Sequence, residues 1–209
     1  MAGKSERKHH LKWQKQLRYY LLLLASLLLA SSLLGCSLLD KTYKSDKAED
    51  YESFISMSPD ASRFMPKADD LGNYESVMFG FKRHIISVVL RFDSLCVSVF
   101  ASFDRKNYEA EKEKALAQYE FLKEPVFDGE CYLIPVVSFE YKGYSFRITS
   151  EDHYFPKSFM MVGVNDEKAT IAYLYYHDSD LDYISEKNAS EATRIKCMQD
   201  LVSTSFAWE

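Results

Sequence analysis

The chain has 209 residues, of which 47% are hydrophobic, 27% charged and 15% aromatic, with 7 Gly and 5 Pro. This composition excludes a disordered, collagen-like or disulfide-dense chain and is typical of a folded domain. Residues 1–39 contain six Lys or Arg and one Glu, so the remaining residues carry 20 Lys or Arg against 30 Asp or Glu, a net charge of −10. An acidic domain is repelled by a phosphate backbone, so nucleic acid is not an expected partner.

The first 40 residues have the charge pattern of a membrane-targeting leader. Six basic residues lie between Lys4 and Arg18, and 21 uncharged residues follow from Tyr19 to Leu39. The positive-inside rule places the basic flank in the cytoplasm. We therefore expect the residues after the apolar run to lie on the extracytoplasmic face of a cell membrane.

The apolar run includes the segment Leu33-Leu34-Gly35-Cys36. This segment resembles the lipobox of bacterial lipoprotein signal peptides, in which Leu, a small residue, and Gly or Ala precede a Cys. The resemblance implies that the Cys36 thiol carries a diacylglyceryl group and that residues 1–35 are removed as a signal peptide. Cys36 would then be the lipid-bearing first residue of the mature chain. The resemblance is confined to the leader and says nothing about the fold of the residues that follow.

An uncut signal anchor is the alternative interpretation of residues 1–35. At a rise of about 1.5 Å per residue, 21 uncharged residues can cross a hydrocarbon core about 30 Å thick. Cys36 would then be a small apolar residue near the outer end of the helix. Both interpretations attach the protein to the membrane, through lipid or as a single-pass span.

The residues that follow Leu39 are mostly polar and charged and lack a sustained apolar period. We expect residues 36–59 to be a lipid-anchored polar tether, formed either by a solvated spacer or by a short, loosely held helix. The folded extracytoplasmic domain is then expected to span residues 60–209.

Runs rich in Val, Ile, Phe and Tyr predict strands at 76–83, 85–92, 95–103, 131–141, 144–149, 159–164 and 169–176. Short polar turns at 93–94, 142–143 and 165–168 join consecutive strands into hairpins. Apolar residues at helical spacing predict one inserted helix at 105–122 and one C-terminal helix from about Ser190 to Ser203. The pattern indicates an α+β fold with an antiparallel sheet of about six to seven strands and helices on one face, after an N-terminal apolar signal or anchor helix.

The cysteines do not indicate a disulfide framework. With Cys36 lipidated, Cys96, Cys131 and Cys197 cannot all pair within one chain, although one pair among them stays possible. Cys96 lies in an apolar segment and is expected to be a small buried hydrophobe. Strand tyrosines such as Tyr173 admit two interpretations, a face that contacts ligand or ordinary strand packing.

No nucleophile elbow, P-loop or dinucleotide-binding glycine motif occurs, so no catalytic residue and no cofactor is predicted. The weak candidates for metal ligands are Asp178, Asp180, Asp182, His153 and His177. Alternating Asp residues can supply oxygen ligands to Ca²⁺, but Tyr183 stands where an EF-hand loop has Gly. We therefore expect a solvated acidic turn and no metal site.

Two classes of function follow from these observations. The first is a non-enzymatic binding or interaction domain, anchored at the membrane, whose partner is an envelope protein or a small ligand. The alternative is an anchored hydrolase or metal-dependent enzyme that uses His153 or His177 with neighbouring carboxylates such as Asp152 and Asp178.

The lipobox resemblance makes a direct prediction about Cys36. We expect the protein extracted from membranes to begin at Cys36 and to carry acyl chains on that residue, as measured by mass spectrometry of the intact chain. Cys36→Ser removes the acceptor thiol, so the variant should retain residues 1–35. An unmodified Cys36 in a wild-type chain that keeps its leader would leave only the signal-anchor interpretation.

Overall fold

A computed structural model describes residues 41–57, 59–85, 93–150, 157–179 and 181–208. Lys41–Glu209 form a compact unit by themselves. The predicted leader and Cys36 lie outside the described residues. Among the helices that the structure does describe, none has both the length and the apolar composition needed to cross a membrane.

The described ranges contain ten strands, four α-helices and a 3-10 turn. In chain order these are β1 (Lys41–Ser45), α1 (Ala48–Ser56), α2 (Pro59–Phe64), the 3-10 turn (Ala68–Leu71), β2 (Ser76–Ile85), β3 (Asp93–Ser102), α3 (Arg105–Ala117), β4 (Val126–Phe127), β5 (Cys131–Ile134), β6 (Ser138–Tyr141), β7 (Tyr144–Ile148), β8 (Ser158–Asn165), β9 (Thr170–Asp178), β10 (Ser185–Glu186) and α4 (Glu191–Ser205).

Seven of these strands form one antiparallel sheet in the order β1-β2-β3-β9-β8-β7-β6. The short strands β10, β5 and β4 form a second, three-stranded sheet. The predicted antiparallel sheet and the C-terminal helix are confirmed. A short helix was one of the two interpretations of the segment that contains α1, whereas α2 was not predicted.

The central strands of the large sheet are buried on both faces. On β3, Val97 and Val99 belong to one apolar core, and Cys96 and Phe100 belong to the other. The first core is completed by α1, α2, the 3-10 turn and α3, and the second by α4 and the three-stranded sheet. We expected helices on one face only. The structure has them on both because successive residues of a strand point to opposite faces and both sets here are apolar.

Residues 41–57, which we expected to belong to a polar tether, are part of the domain. Strand β1 pairs with β2 along its whole length. Helix α1 is mostly polar, yet it buries Tyr51, Phe54 and Ile55 in the first core. These three residues have the spacing of one face of a helix. A pattern of only three apolar residues among many charged ones is too short to predict a buried helix from the sequence.

Tyr51 fixes α1 to the sheet. Its ring stacks on Phe79 of β2 with the two centroids 4.5 Å apart. Its hydroxyl donates a hydrogen bond to the carbonyl of Pro66 at 2.5 Å, and burial raises the pKa of the phenol. The aromatic contact and the hydrogen bond together explain how a largely polar helix is held against the sheet.

Two predicted strand boundaries were wrong. Ile85 pairs with Asp93, and His84 pairs with Ser94. Residues 93–94 therefore belong to strand β3 and do not form the predicted turn. Of the predicted strand 85–92, residues 86–92 lie outside the described residues. The predicted strand 131–141 is interrupted at Pro135, and its two halves, β5 and β6, belong to different sheets. Proline cannot donate to a strand ladder, which accounts for the break.

The predicted turns at 142–143 and 165–168 are confirmed. Lys142 and Gly143 have φ values of 50° and 80°, as a two-residue hairpin turn of the favoured handedness requires. In the β8–β9 turn, the side chain of Asn165 accepts a hydrogen bond from the backbone N–H of Lys168 at 2.9 Å. Local turn chemistry therefore sets the register of both hairpins.

Helix α3 is fixed to the β8–β9 turn by a polar cluster. The helix begins after Asp104, whose carboxylate caps two backbone N–H groups of the first turn. The hydroxyl of buried Tyr108 donates to Asp166 at 2.7 Å, and the Lys112 ammonium lies 3.0 Å from the same carboxylate. These two donors hold the pKa of Asp166 below its ordinary value. The helix ends at Ala117, earlier than the predicted residue 122.

The C-terminal helix α4 follows the prediction closely. The Ser190 hydroxyl accepts a hydrogen bond from the backbone N–H of Thr193 at 3.2 Å, and the helix buries Met198 and Val202. The chain then returns across the second face. The ring of Trp208 lies 5.3 Å from that of Phe100, measured between centroids.

Burial of α1 predicts the effect of a substitution at Ile55. We expect Ile55→Ala to lower the free energy of unfolding by about 2–5 kcal/mol, because it leaves a cavity in the first core. Met57→Ala, at a position that is 55% exposed, is the matched control and should change it by less than about 0.5 kcal/mol. Urea denaturation measures both. Equal stability of the two variants would restore the tether interpretation of this segment.

Candidate functional site

The predicted metal ligands do not come together where the structure describes them. His153 and Asp180 lie outside the described residues. His177 and Asp178 are neighbours on β9, so their side chains point to opposite faces of the sheet. The Asp178 carboxylate accepts a hydrogen bond from the Tyr176 hydroxyl at 3.1 Å. Across residues 41–208, within the ranges described, no group of three or more His, Cys, Asp or Glu could hold a metal ion.

His177 lies inside the sheet. It pairs with Leu95 on β3 and with Ser158 on β8. Directly opposed residues of antiparallel strands project from the same face, so the imidazole lies beside these two side chains. Within the described part of the chain, neither the Nδ1 atom of His177 nor the Oγ atom of fully buried Ser158 has a hydrogen-bond partner. The two residues directly opposite His177, Leu95 and Ser158, carry no carboxylate.

Four of the strand tyrosines are packing residues. Tyr144, Tyr173, Tyr175 and Tyr176 are each 6% exposed or less. Burial raises the pKa of Tyr173 and of Tyr176. The interpretation of these side chains as a ligand-contacting face was therefore wrong, and ordinary strand packing is confirmed for them.

The three cysteines of the domain are free thiols. Cys96 is buried in the second core, as expected, and burial raises the pKa of its thiol. Because the thiolate is the reactive form, Cys96 has the environment of an inert structural cysteine. Cys131 and Cys197 are half-buried.

A groove of about 580 Å³ opens where the chain leaves α3 and runs toward β4. Its volume is within the range of about 300–1,000 Å³ that is typical of ligand sites. Its lining combines apolar side chains with two carboxylates, one ammonium and one hydroxyl: Glu120, Phe121, Leu122, Lys123, Glu124, Pro125, Val126, Phe127 and Ser150. We name this feature the 120–127 groove.

The 120–127 groove is held by backbone pairing with residues 148–150. The Leu122 N–H donates to the Ile148 carbonyl at 2.9 Å, and the Ser150 N–H donates to the Glu120 carbonyl at 3.0 Å. Phe121 belongs to the first core, whereas Leu122 packs against the second. The groove lining is therefore attached to both cores of the domain.

Phe127 forms an exposed aromatic rim at one end of the groove. Its side chain is 43% exposed, and its ring lies 5.0 Å from that of Tyr132 on the neighbouring strand. The Lys187 ammonium lies 5.8 Å from the Phe127 centroid, and the Arg194 guanidinium lies 4.8 Å from the Tyr132 centroid. Aromatic residues and Arg are enriched at binding interfaces, where such rings supply contact area and such cations supply hydrogen bonds.

The sequence did not reveal this groove. Residues 120–122 continue the apolar stripe of the predicted helix, and Glu124-Pro125 indicates only that the helix must end. The groove depends on the pairing of Phe121 with Thr149, which are distant along the chain.

Comparison with known proteins does not connect the chain to a family. No protein-family model, no curated protein and no solved structure matches it. The 120–127 groove is therefore a candidate site on its geometry alone.

The divergence of His177 and Asp178 makes a prediction about metals. We expect near-stoichiometric Ca²⁺, Zn²⁺ or EDTA to leave the melting temperature unchanged in calorimetry. Tight binding to the native state alone would add about 2.7 kcal/mol of stability at one hundred times Kd. A clear increase in melting temperature with micromolar metal, lost in His177→Ala or Asp180→Ala, would show that a metal site exists.

Proposed function

We propose that this protein is a membrane-anchored extracytoplasmic lipoprotein with a non-enzymatic binding domain. Its ligand, an envelope protein or a small molecule, would occupy the 120–127 groove. The observation that carries this proposal is the combination of a fixed apolar floor with the exposed Phe127 rim. The basic leader and the Leu33–Cys36 segment support the anchor.

The groove has the properties of a preformed binding site. Because Phe121 and Leu122 are each packed in a core, the floor loses little conformational freedom on binding. The Phe127 ring can stack on a planar or apolar group of the ligand. The lining carries two carboxylates, Glu120 and Glu124, and the Lys123 ammonium beside its apolar residues, which favours a ligand with both polar and apolar parts.

The alternative of an anchored hydrolase or metal-dependent enzyme has weaker support. His177 and Asp178 project from opposite faces of β9, and the Asp178 carboxylate already accepts the Tyr176 hydroxyl. His153 lies outside the described residues. Geometry therefore provides no pair of groups positioned for acid–base chemistry among the candidates that the structure describes.

The role of Phe127 can be tested in cells with a photo-crosslinking amino acid. We expect position 127 to capture one discrete partner, whereas position 183 should not, because Tyr183 is similarly exposed but lies outside the groove. Calorimetry then measures the affinity of the captured partner for the purified protein. Phe127→Ala should weaken that binding by about fivefold, because the substitution removes an exposed aromatic side chain that can contact the ligand.

Tyr183→Ala is the matched control for the calorimetry and should leave the affinity unchanged within about twofold. Equal capture at positions 127 and 183, or equal affinity of the two Ala variants, would show that the groove is not the binding site.

A further inference from the structure

A guanidinium group borders the 120–127 groove. The Arg147 Cζ atom lies over the Phe121 ring at 3.9 Å from its centroid, and Phe121 is part of the groove lining. Arg147 is an exposed residue near the end of β7, and it precedes Ile148, whose carbonyl accepts the Leu122 N–H. The backbone pairing that holds the groove therefore also fixes Arg147 beside it.

The N–H groups of Arg147 are free to bind a ligand. Arg105 and Arg194, by contrast, each donate hydrogen bonds to backbone carbonyls. For Arg147, the contact with the Phe121 ring is the interaction that the structure shows, and no hydrogen bond or ion pair joins its guanidinium to a described residue. A guanidinium over an aromatic ring keeps the N–H donors at its planar edge, and this edge matches the two oxygens of a carboxylate.

The charges around Arg147 restrict the kind of anion that it can bind. The groove lining contributes two carboxylates and one ammonium, from Glu120, Glu124 and Lys123. Together with Arg147 they carry no net charge, so a distant anion is attracted little and must be held by direct contact with the guanidinium. A singly charged carboxylate is repelled less by the two Glu side chains than a doubly charged phosphate group is.

Glu140 on the edge strand β6 does not neutralise Arg147. In the strand register, Ser138 lies opposite Arg147, and Glu140 lies opposite Ser145. Glu140 is therefore a diagonal neighbour of Arg147, and no ion pair joins these two side chains in the described part of the chain. Both side chains are exposed, so water and salt screen their attraction.

The Phe127 end of the groove suits the apolar part of a ligand. Phe127 is 43% exposed there, and its ring can stack on an aromatic or apolar group. The nearby Lys187 ammonium already donates to the Gly129 carbonyl at 3.0 Å. The Asp128 carboxylate, next to Phe127 in the chain, disfavours a second negative charge at this end. The groove therefore offers an apolar contact at Phe127 and a hydrogen-bonding cation beside Phe121.

We propose that the 120–127 groove binds a small organic acid with an aromatic or apolar body, and that Arg147 binds its carboxylate through paired N–H donors. This inference rests on the proposed binding function of the groove and adds the chemical class of the ligand and the residue that selects it. The groove volume of about 580 Å³ accommodates a molecule of this kind.

Three fluorinated aromatic probes test the ligand class. They are para-fluorobenzoate, its neutral isostere para-fluorobenzamide, and para-fluorophenyl phosphate. The full chain is kept in a nonionic detergent, and fluorine NMR line broadening measures the Kd of each probe after subtraction of a micelle-only blank. We expect the Kd of the benzoate to be about fivefold lower than that of the benzamide, because a charge-assisted hydrogen bond is stronger than a neutral one. It should also be lower than that of the phosphate, which the two Glu side chains repel more strongly.

The reactivity of Arg147 in the wild-type protein provides a residue-specific measurement. Phenylglyoxal reacts with exposed arginine side chains, and mass spectrometry of the digested protein measures the rate at each of them. At about five times its Kd, para-fluorobenzoate should slow the reaction of Arg147 about sixfold, by the factor 1 + [L]/Kd. Arg63 is the matched control and should react at an unchanged rate. It is exposed, and its guanidinium also lies over a ring, 5.4 Å from the Phe64 centroid, at a position outside the groove lining.

Two substitutions at Arg147 separate the effect of charge from that of geometry. Arg147→Gln should abolish the preference for the benzoate over the benzamide. Arg147→Lys should lose most of this preference, because an ammonium keeps the charge without the planar fork of donors. Arg63→Gln removes the same charge outside the groove and should preserve the preference. The phenylglyoxal measurement needs no variant, so it tests the inference even if the Arg147 variants do not fold.

Several outcomes would overturn this inference and leave the groove as a binding site. They are equal Kd values for the benzoate and the benzamide, tighter binding of the phosphate than of the benzoate, full retention of the preference in Arg147→Lys, and equal protection of Arg147 and Arg63. In each case, discrete capture at position 127 would still support the proposed function. Failure of that capture together with equal Kd values would overturn the proposed function and this inference together.

Discussion

Burial of β3, β8 and β9 on both faces is the constraint on which the rest of the described domain depends. Successive residues of these strands, such as Val97 and Cys96, belong to different cores, so neither face of the sheet can be left to water. Helices α1, α2 and α3 cover one face of the sheet, and α4 with the three-stranded sheet covers the other. Even the mostly polar α1 is held in place because Tyr51, Phe54 and Ile55 are needed to cover β2.

The parts of the fold that local chemistry determines could be predicted from the sequence. The turn at Lys142-Gly143 and the capping residue Ser190 specify their elements within a few residues. The sequence allowed a short helix at α1 but did not reveal that it packs on the sheet, because three apolar residues are a weak signal among charges. The break at Pro135 lay inside a long apolar run. The groove could not be predicted, because it forms where Phe121 pairs with Thr149 and no local pattern specifies that pairing.

The position of α4 after all the strands has a consequence for how the domain is made. Met198, Val202, Phe206 and Trp208 cover the second face, and they follow every strand in the chain. A chain that emerges from its N-terminal end can assemble the sheet and cover the first face while the second face still lacks α4. During that interval the side chains of Phe100, Phe146 and Leu174 lack their cover. The nascent chain therefore passes through a stage in which part of the sheet is exposed and prone to aggregation, and this stage lasts until the residues up to 208 can fold. A chaperone that binds exposed apolar surface would protect the chain most at that stage.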